Sequence, residues 1–365
     1  MRSTGRHFLL VATFFALLVL SGCSASVAKQ EYSYITAPEA VLRDRVAAVY
    51  EKTGVLHNGE RVAVLERMTT RRFVRVRSSR GEEGWIQERY LTDQQTFDEF
   101  QRLLQQFKNT PVQAVAETKA QVNLHVSPGR KTEHLYQLNE KEKVDLLVRK
   151  TADKNAPAPR PNLPTQPKAE NSKAENKEAD VEPSGEEPAA PAKPGAQPAL
   201  EDWWLVRDTH NRVGWVLGRM LYVDVPIDIA QYAEGRRIVG FYVLDQVQDE
   251  GKSIPEYLVL LSEGKDGMPY DYDQIRVYTW NRRRHRYETA YRGSGLSGFL
   301  PVTMGKESFG KEGDLSTFTV QLADANGALH QQKYKFNPPI VRAVLAEGET
   351  IPKAHRKAAK PQHWR

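Results

Sequence analysis

The sequence is short of cysteine, of long apolar segments and of net charge, and each shortage excludes a class of protein. Its single cysteine, Cys23, rules out an intramolecular disulfide and a zinc site built from several cysteines. A hydrophobic content of 40% suffices for small cores but not for a membrane protein with many spans. The net charge of +6 is too small to indicate binding to nucleic acid. A length of 365 residues predicts two to three domains.

The one extended apolar run lies near the N-terminus. Residues 8–20 follow Arg2 and Arg6 and lead into Leu20-Ser21-Gly22-Cys23. The run is too short for a good transmembrane span, and its basic start predicts a signal peptide over residues 1–22. The Leu-Ser-Gly-Cys sequence resembles the lipobox of bacterial lipoproteins.

This resemblance implies that Cys23 is acylated, with palmitate among its acyl chains, and becomes the lipid-anchored N-terminus. Several chains give a firm anchor, since each buried CH₂ contributes about 0.8 kcal/mol. Ser24 stands where aspartate usually signals inner-membrane retention, so the family pattern favours the outer membrane, facing the periplasm. Residues 23–32 form a short tether, which keeps the first folded module close to the bilayer.

Two stretches of the sequence occur twice. Residues 73–91 and 203–221 align without a gap, with matches at Phe73/Trp203, Val76/Val206, Arg77/Arg207, Gly84/Gly214, Trp85/Trp215, Ile86/Val216, Arg89/Arg219 and Leu91/Leu221. Upstream segments match at Leu42/Leu124, Leu56/Leu138, Glu60/Glu142, Val62/Val144, Leu65/Leu147 and Arg67/Arg149. The chain therefore contains one small module in two copies, the second interrupted by a segment rich in proline and alanine.

Each copy has the pattern of a small antiparallel β-barrel, because short apolar–polar alternations are separated by turn sequences. The motifs are Phe73-Val74-Arg75-Val76 with Gly84-Trp85-Ile86 in the first copy, and Trp203-Trp204-Leu205-Val206 with Gly214-Trp215-Val216 in the second. These motifs resemble bacterial SH3 domains. We therefore expect SH3-like domains over residues 33–91 and 111–225.

A helix should connect the two copies, over residues 92–110. Phe97, Phe100, Leu104 and Phe107 share one helical face, and Thr96 with Glu99 gives a capping box. We expect the apolar face to pack on a neighbouring module; a helix that binds a partner's groove is the alternative.

The segment that interrupts the second copy, residues 151–200, contains ten prolines and no aromatic residue. Such a composition predicts disorder, because too little apolar surface is available to offset the entropy of ordering. The fold of the module should hold the two ends of the segment together. Two PxxP sequences, at residues 161–164 and 188–191, raise the hypothesis that the segment occupies the groove beside Trp203.

The sequence of the remaining region, residues 226–347, does not resemble a known family. Eight strand-like runs predict an antiparallel sandwich or open barrel: 237–244, 256–261, 274–280, 286–291, 299–303, 316–322, 330–336 and 340–345. Residues 293–298 spell GxGxxG but precede a strand-like run, so a flexible hairpin loop is expected instead of a nucleotide site. Residues 348–365 form a basic tail.

The resemblance also supplies candidate binding residues. In SH3 domains that bind proline-rich peptides, the first tryptophan of the pair lines the ligand groove, and Trp203 occupies that place. Phe73 is its match in the first copy, with Tyr90 beside it. Four arginines at a predicted turn form a candidate anion-binding tip, or else a solvated hairpin end: Arg282, Arg283, Arg284 and Arg286.

The sequence predicts a protein without enzymatic activity. Cell-wall hydrolases joined to bacterial SH3 domains use a cysteine nucleophile, and the only cysteine here is assigned to the lipid. The histidines lack metal-ligand spacing, so neither metal nor cofactor is expected. Asp271 and Asp273 could contact calcium, but the other loop ligands and glycine are missing.

Together these features predict a mainly β, lipid-anchored envelope protein that binds cell-wall peptide or envelope proteins through its SH3-like modules. The alternative is a structural subunit of an envelope complex that acts through its C-terminal β domain. The expected partners are a membrane, through the lipid, and peptidoglycan peptide or an envelope protein.

Overall fold

The computed structural model describes residues 30–157 and 199–345. These residues form three antiparallel sheets and two short helices, which confirms the predicted mainly β fold class. Neither helix in the described ranges is long and apolar enough to span a membrane. Cys23, the predicted signal peptide, both PxxP sequences and the basic tail lie outside the described residues.

The chain divides into two compact units. The first comprises the chain up to Ile35 together with Glu39–Leu91, and the second comprises Thr36–Pro38 together with the chain from Thr92 onward. The second unit contains the second and third sheets, so contacts between those two sheets are internal to one body.

The first sheet has the strand order β3-β2-β6-β5-β4-β1-β7. Its strands are β1 (Tyr32–Ile35), β2 (Glu39–Arg43), β3 (Lys52–His57), β4 (Arg61–Met68), β5 (Phe73–Arg77), β6 (Glu83–Gln87) and β7 (Leu91–Asp93). In β5, Val74 and Val76 are buried while Arg75 and Arg77 are exposed. This alternation places one face of each strand in the core.

The second sheet has the order β10-β9-β13-β12-β11-β8-β14, which is the first order with every strand number raised by seven. Its strands are β8 (Ala114–Thr118), β9 (Val122–His125), β10 (His134–Leu138), β11 (Lys143–Asp153), β12 (Leu200–Asp208), β13 (Val213–Leu217) and β14 (Leu221–Val223). The strand register is also the same. Met68 pairs with Phe73 in the first sheet, and the residues at the matching positions, Lys150 and Trp203, pair in the second.

The interruption in the second sheet begins and ends at paired strands. β11 and β12 pair as far as Asp153 and Leu200, and the Lys154 N–H donates to the Ala199 carbonyl at 2.9 Å. In the first sheet the same connection is the short 3₁₀ turn Thr69–Arg71. The intervening segment therefore leaves and rejoins the sheet at adjacent positions.

Helix α1 (Gln94–Gln106) lies where the connecting helix is predicted, but its cap differs. The Asp93 side chain accepts a hydrogen bond from the Thr96 N–H at 2.8 Å, so Asp93 is the N-cap and the predicted Thr96 cap is wrong. Phe100 is buried and meets Tyr136 edge-on at 5.2 Å. The apolar face of the helix thus packs on the second sheet.

The third sheet is a meander of seven strands in sequence order, preceded by helix α2 (Ile227–Ala230). The strands are β15 (Arg237–Asp249), β16 (Lys252–Ser262), β17 (Tyr272–Asn281), β18 (Arg286–Ser308), β19 (Asp314–Ala323), β20 (Leu329–Asn337) and β21 (Ile340–Val344). The described strands of this region therefore belong to one hydrogen-bonded sheet.

Two of the eight predicted strands, and the hairpin loop predicted at residues 293–298, are parts of the single long strand β18. The prediction of a loop is wrong because Gly298 has a packing role. A Cβ atom at Gly298 would lie 2.1 Å from Cε2 of the buried Tyr272 ring. Glycine is needed there for the ring to lie against the strand.

Buried polar contacts join the second and third sheets. Arg149 on β11 donates to Asp202 at 2.7 Å and to Asp271 at 3.1 Å, and its side chain is only 5% exposed. The buried Gln113 accepts from the Tyr242 hydroxyl at 2.6 Å through its Oε1 atom. Because buried charges and amides are costly without partners, these contacts fix how the two sheets meet.

Candidate functional site

A pocket of about 300 Å³ opens on the second sheet beside Trp203. It lies between β9, the end of β13 and the turn that follows β13. Apolar and polar side chains share its wall: Val122, Asn123, His125, Arg130, Trp203, Val216, Leu217, Arg219 and Met220. Its volume is at the lower end of the range for small-ligand sites.

Trp203 is one of the apolar residues that line this pocket and is itself 2% exposed. Its ring belongs to a core cluster with Leu147, Leu205 and Trp215. Residues from α1 and the turn after it pack against the same cluster, so β12 is buried on both faces. This burial fixes the ring rigidly, which favours a preformed pocket.

His125 meets the Trp203 ring edge-on, with ring centroids 5.2 Å apart. Its Nδ1 lies 3.1 Å from the Thr132 carbonyl and 3.0 Å from the Thr132 hydroxyl. The single proton of that hydroxyl is directed at the Ser127 and Gly129 carbonyls, both 2.8 Å away, so both Thr132 oxygens are left to accept from an Nδ1–H. We infer that the imidazole Nε2 is unprotonated and free to accept.

The imidazole of His125 is neutral at pH 7. The pKa of His125 is lowered from 6.5 to about 4, chiefly by burial and also by the nearby His134, against a smaller raising effect of the hydrogen bond to Thr132. The pKa of His134 is also lowered, again by burial. The pocket thus presents a hydrogen-bond acceptor without a positive charge at this position.

The charge in the pocket comes from two arginines that share one carboxylate. Arg130 donates twice to Glu201, at 2.7 and 2.6 Å, and these hydrogen bonds hold the pKa of Glu201 below its usual value. Arg219 lies 3.6 Å from the same carboxylate, beyond hydrogen-bonding distance. Two guanidinium groups against one carboxylate leave the site with a positive surplus.

The matching positions of the first sheet are arranged differently. The guanidinium of Arg43, which stands where His125 is in the second sheet, lies 5.5 Å from the centre of the Phe73 ring and 4.0 Å from that of Tyr50. Tyr90 is engaged by Arg89, whose Nη2 donates to the Tyr90 hydroxyl at 2.9 Å. The structure thus gives Phe73 and Tyr90 separate cationic partners.

The four arginines of the predicted turn lie at the hairpin tip between β17 and β18, and all four are exposed. The Asn281 side chain shapes the tip by accepting the backbone N–H groups of Arg283 and Arg284. Arg284 and Arg286 pair with Glu288 at 3.0 and 3.3 Å. Part of the positive charge of the tip is therefore neutralised by its own strand.

Other candidate cation ligands already have cationic partners. Asp271 pairs with Arg149, and Asp273 pairs with Arg236 at 2.6 Å. Oxygen and nitrogen atoms of Glu142, Asp208 and His210 lie within 4.8 Å of one another, but Arg212 donates to Asp208 at 2.5 Å. A bound metal would have to compete with that guanidinium, so we assign no metal site there.

Sequence reasoning missed His125, Arg130, Glu201 and Arg219 as members of the site. The match between Arg89 and Arg219 was a usable signal, because an arginine at the same place in both copies is a candidate for a contact within the module or with a ligand. Arg130 and Glu201 lie on opposite sides of the interrupting segment, so spacing gave no sign of their contact.

One family model matches the chain, that of the bacterial SH3 domain, over residues 42–92. The N-terminal module is therefore a bacterial SH3 domain. No curated protein matches the chain.

Among solved structures, the chain is similar to NlpC1 of Trichomonas vaginalis (10% identity, 74% of this chain and 91% of that chain, TM-score 0.17). It is also similar to NlpC2 of the same organism (12% identity, 89% and 95%, TM-score 0.16). A third match is an NlpC/P60 family protein of Bacillus cereus (11% identity, 71% and 93%, TM-score 0.21).

These matches correct the prediction of a protein without enzymatic activity. That prediction depended on assigning the single cysteine to a lipid, whereas the matched solved structures are NlpC and NlpC/P60 family proteins. The exclusion of catalysis is withdrawn.

Proposed function

We propose that this protein binds cell-wall peptide through its SH3-like modules, with the pocket beside Trp203 as the principal contact. The bacterial SH3 match over residues 42–92 supports the first module. The second sheet has the same strand order and register as the first, which supports a second SH3-like domain over residues 111–225. The candidate ligand contacts are Trp203 in the second module and Phe73 with Tyr90 in the first.

The observation that carries this proposal is the difference between the two modules. In the second, His125 and Met220 leave a pocket of about 300 Å³ beside a rigid tryptophan. In the first, Arg43 and Tyr90 stand at the matching positions and contact neighbouring aromatic and arginine side chains. A preformed cavity with an aromatic wall and few polar groups is typical of a ligand site.

The proposal includes a location. Cys23 follows a lipobox-like sequence, and an acylated Cys23 would hold the modules at the outer membrane, facing the periplasm, within reach of the cell wall. Metabolic labelling with a palmitate analogue should mark the wild type and not Cys23→Ala. Labelling of both proteins would exclude this anchor.

A second candidate function is a scaffold for an envelope complex, acting through the C-terminal β domain. It is favoured by the exposed arginine tip, where Arg282 and Arg283 extend the positive surface beyond the two residues paired with Glu288. Co-purification of one envelope protein from detergent extracts, lost on replacing all four arginines, would support it.

The test of the principal proposal is retention on purified sacculi. The full chain in mild detergent should be retained, and Trp203→Ala should reduce retention more than Phe73→Ala. Because both rings pack against neighbours, thermal unfolding must show that each variant is folded at the assay temperature. A wild-type protein that is not retained would overturn the proposal.

A further inference from the structure

Besides Arg130, three polar groups in the pocket keep hydrogen-bonding capacity after their contacts in the described residues are counted. Asn123 uses its Oδ1 to accept from Gln137 at 3.0 Å, which leaves its amide N–H donors. His125 commits its Nδ1–H to Thr132 and leaves its Nε2 acceptor. Arg219 has only the long contact to Glu201. The pocket therefore offers donors at two places and an acceptor at a third.

Arg219 differs from its match in the first module because of one neighbouring residue. Arg89 hydrogen-bonds the Tyr90 hydroxyl and lies over the Tyr90 ring at 4.9 Å. Position 220 is methionine, which has neither a hydroxyl nor an aromatic ring. The Arg219 side chain is 54% exposed and lines the pocket, so its guanidinium is available to a ligand.

The charge balance points to an anionic ligand. Arg130 and Arg219 face the single carboxylate of Glu201, and Lys154 adds to the positive field that lowers the pKa of Glu201. Arg130 already directs its Nε–H and one Nη2–H at Glu201, whereas Arg219 makes no hydrogen bond to that carboxylate. A planar guanidinium matches a carboxylate well, so Arg219 is the natural partner for a ligand carboxylate.

We propose that the pocket binds the C-terminal residue of a peptide, recognising its free carboxylate. Arg219 and the Asn123 amide bind the carboxylate, the His125 Nε2 accepts the N–H of the last peptide bond, and the side chain lies against Trp203. This inference rests on the proposed function and names the ligand group for the same site. An internal peptide segment would offer the N–H but not the terminal carboxylate.

The experiment compares a peptide that has a free C-terminal carboxylate with the same peptide as its C-terminal amide. N-acetyl-Ala-Ala is titrated as the free acid and as its C-terminal amide, in L and D forms, into the full chain in mild detergent at pH 7, by calorimetry. We expect the acid to bind at least about tenfold more tightly than the amide, because charge-assisted hydrogen bonds are the stronger ones. Arg219→Gln should abolish this preference, and the matched variant Arg89→Gln should retain it.

Equal binding of acid and amide, no measurable binding of either acid form, or an unchanged preference in Arg219→Gln would each overturn the carboxylate inference. Retention on sacculi separates this failure from failure of the proposed function. If the wild type is retained in a Trp203-dependent way while acid and amide bind equally, only the carboxylate inference falls. If the wild type is not retained, the proposed function falls as well.

Discussion

The edge of the His125 imidazole meets the Trp203 indole at 5.2 Å, at the position where the Arg43 guanidinium lies over Phe73 in the first module. The same two places in the fold thus hold a neutral ring pair in one module and a cation over a ring in the other. In the second module this contact forms one wall of the pocket. The two modules share a framework but differ at the surface where a ligand would bind.

Arg149 should be essential for the stability of the second unit. Arg149→Met leaves the buried Asp271 carboxylate without its cationic partner and leaves Asp202 paired with Arg237 alone, and we expect the free energy of unfolding to fall by about 3–5 kcal/mol. The matched residue Arg67 pairs at the surface with a 37% exposed side chain, so Arg67→Met should cost less than about 1 kcal/mol. Urea denaturation measures both, and equal losses would contradict this role.

Stability should fall on acidification in a way that depends on His125. Its pKa is 6.5 in ordinary surroundings and about 4 in the fold, so the folded state disfavours the protonated ring. The contribution is complete above pH 6.5 and is lost as pH falls from 6.5 towards 4, by at most about 3 kcal/mol. His134 acts in the same direction.

Urea denaturation of the wild type and His125→Phe at pH 7 and pH 4.5 tests this expectation. The wild type should lose more stability between the two values than the variant does, and His57→Phe, at an exposed position of the first unit, should behave as the wild type. A pH dependence that is the same in wild type and His125→Phe would contradict the buried neutral imidazole.

Gly298→Ala should be destabilising although it is one of the mildest substitutions in chemical terms. The added Cβ would lie 2.1 Å from the Tyr272 ring, and relief of such overpacking costs about 1–3 kcal/mol or more. At Gly264 the nearest atom would be 3.5 Å away, so Gly264→Ala serves as the control and should leave stability unchanged or slightly raised. Thermal unfolding measures the stability of both variants. A Gly298→Ala variant as stable as the wild type would restore the interpretation of residues 293–298 as a loop.

The sequence predicted the mainly β class because alternation and turn residues act locally, and the Phe73/Trp203 alignment marked equivalent strands. Local signals failed where packing decided the outcome. Glycines at residues 293–298 are usual turn residues, yet Gly298 is required by a tyrosine from a neighbouring strand. Asp93 and Thr96 are both good cap residues, and side-chain geometry selected Asp93. Trp203 was identified by resemblance, but the contact between Arg130 and Glu201 depends on tertiary structure.

The most direct test of cell-wall binding through the second pocket is retention of Met220→Tyr on purified sacculi. The substitution gives Arg219 the phenol that Arg89 has in the first module, without altering the Trp203 cluster. We predict at least a fivefold loss of retention for Met220→Tyr, an effect of about 1 kcal/mol, and a smaller loss for the reciprocal variant Tyr90→Met, because the second pocket is the principal contact. Retention of Met220→Tyr at the wild-type level would contradict the assignment of binding to this pocket.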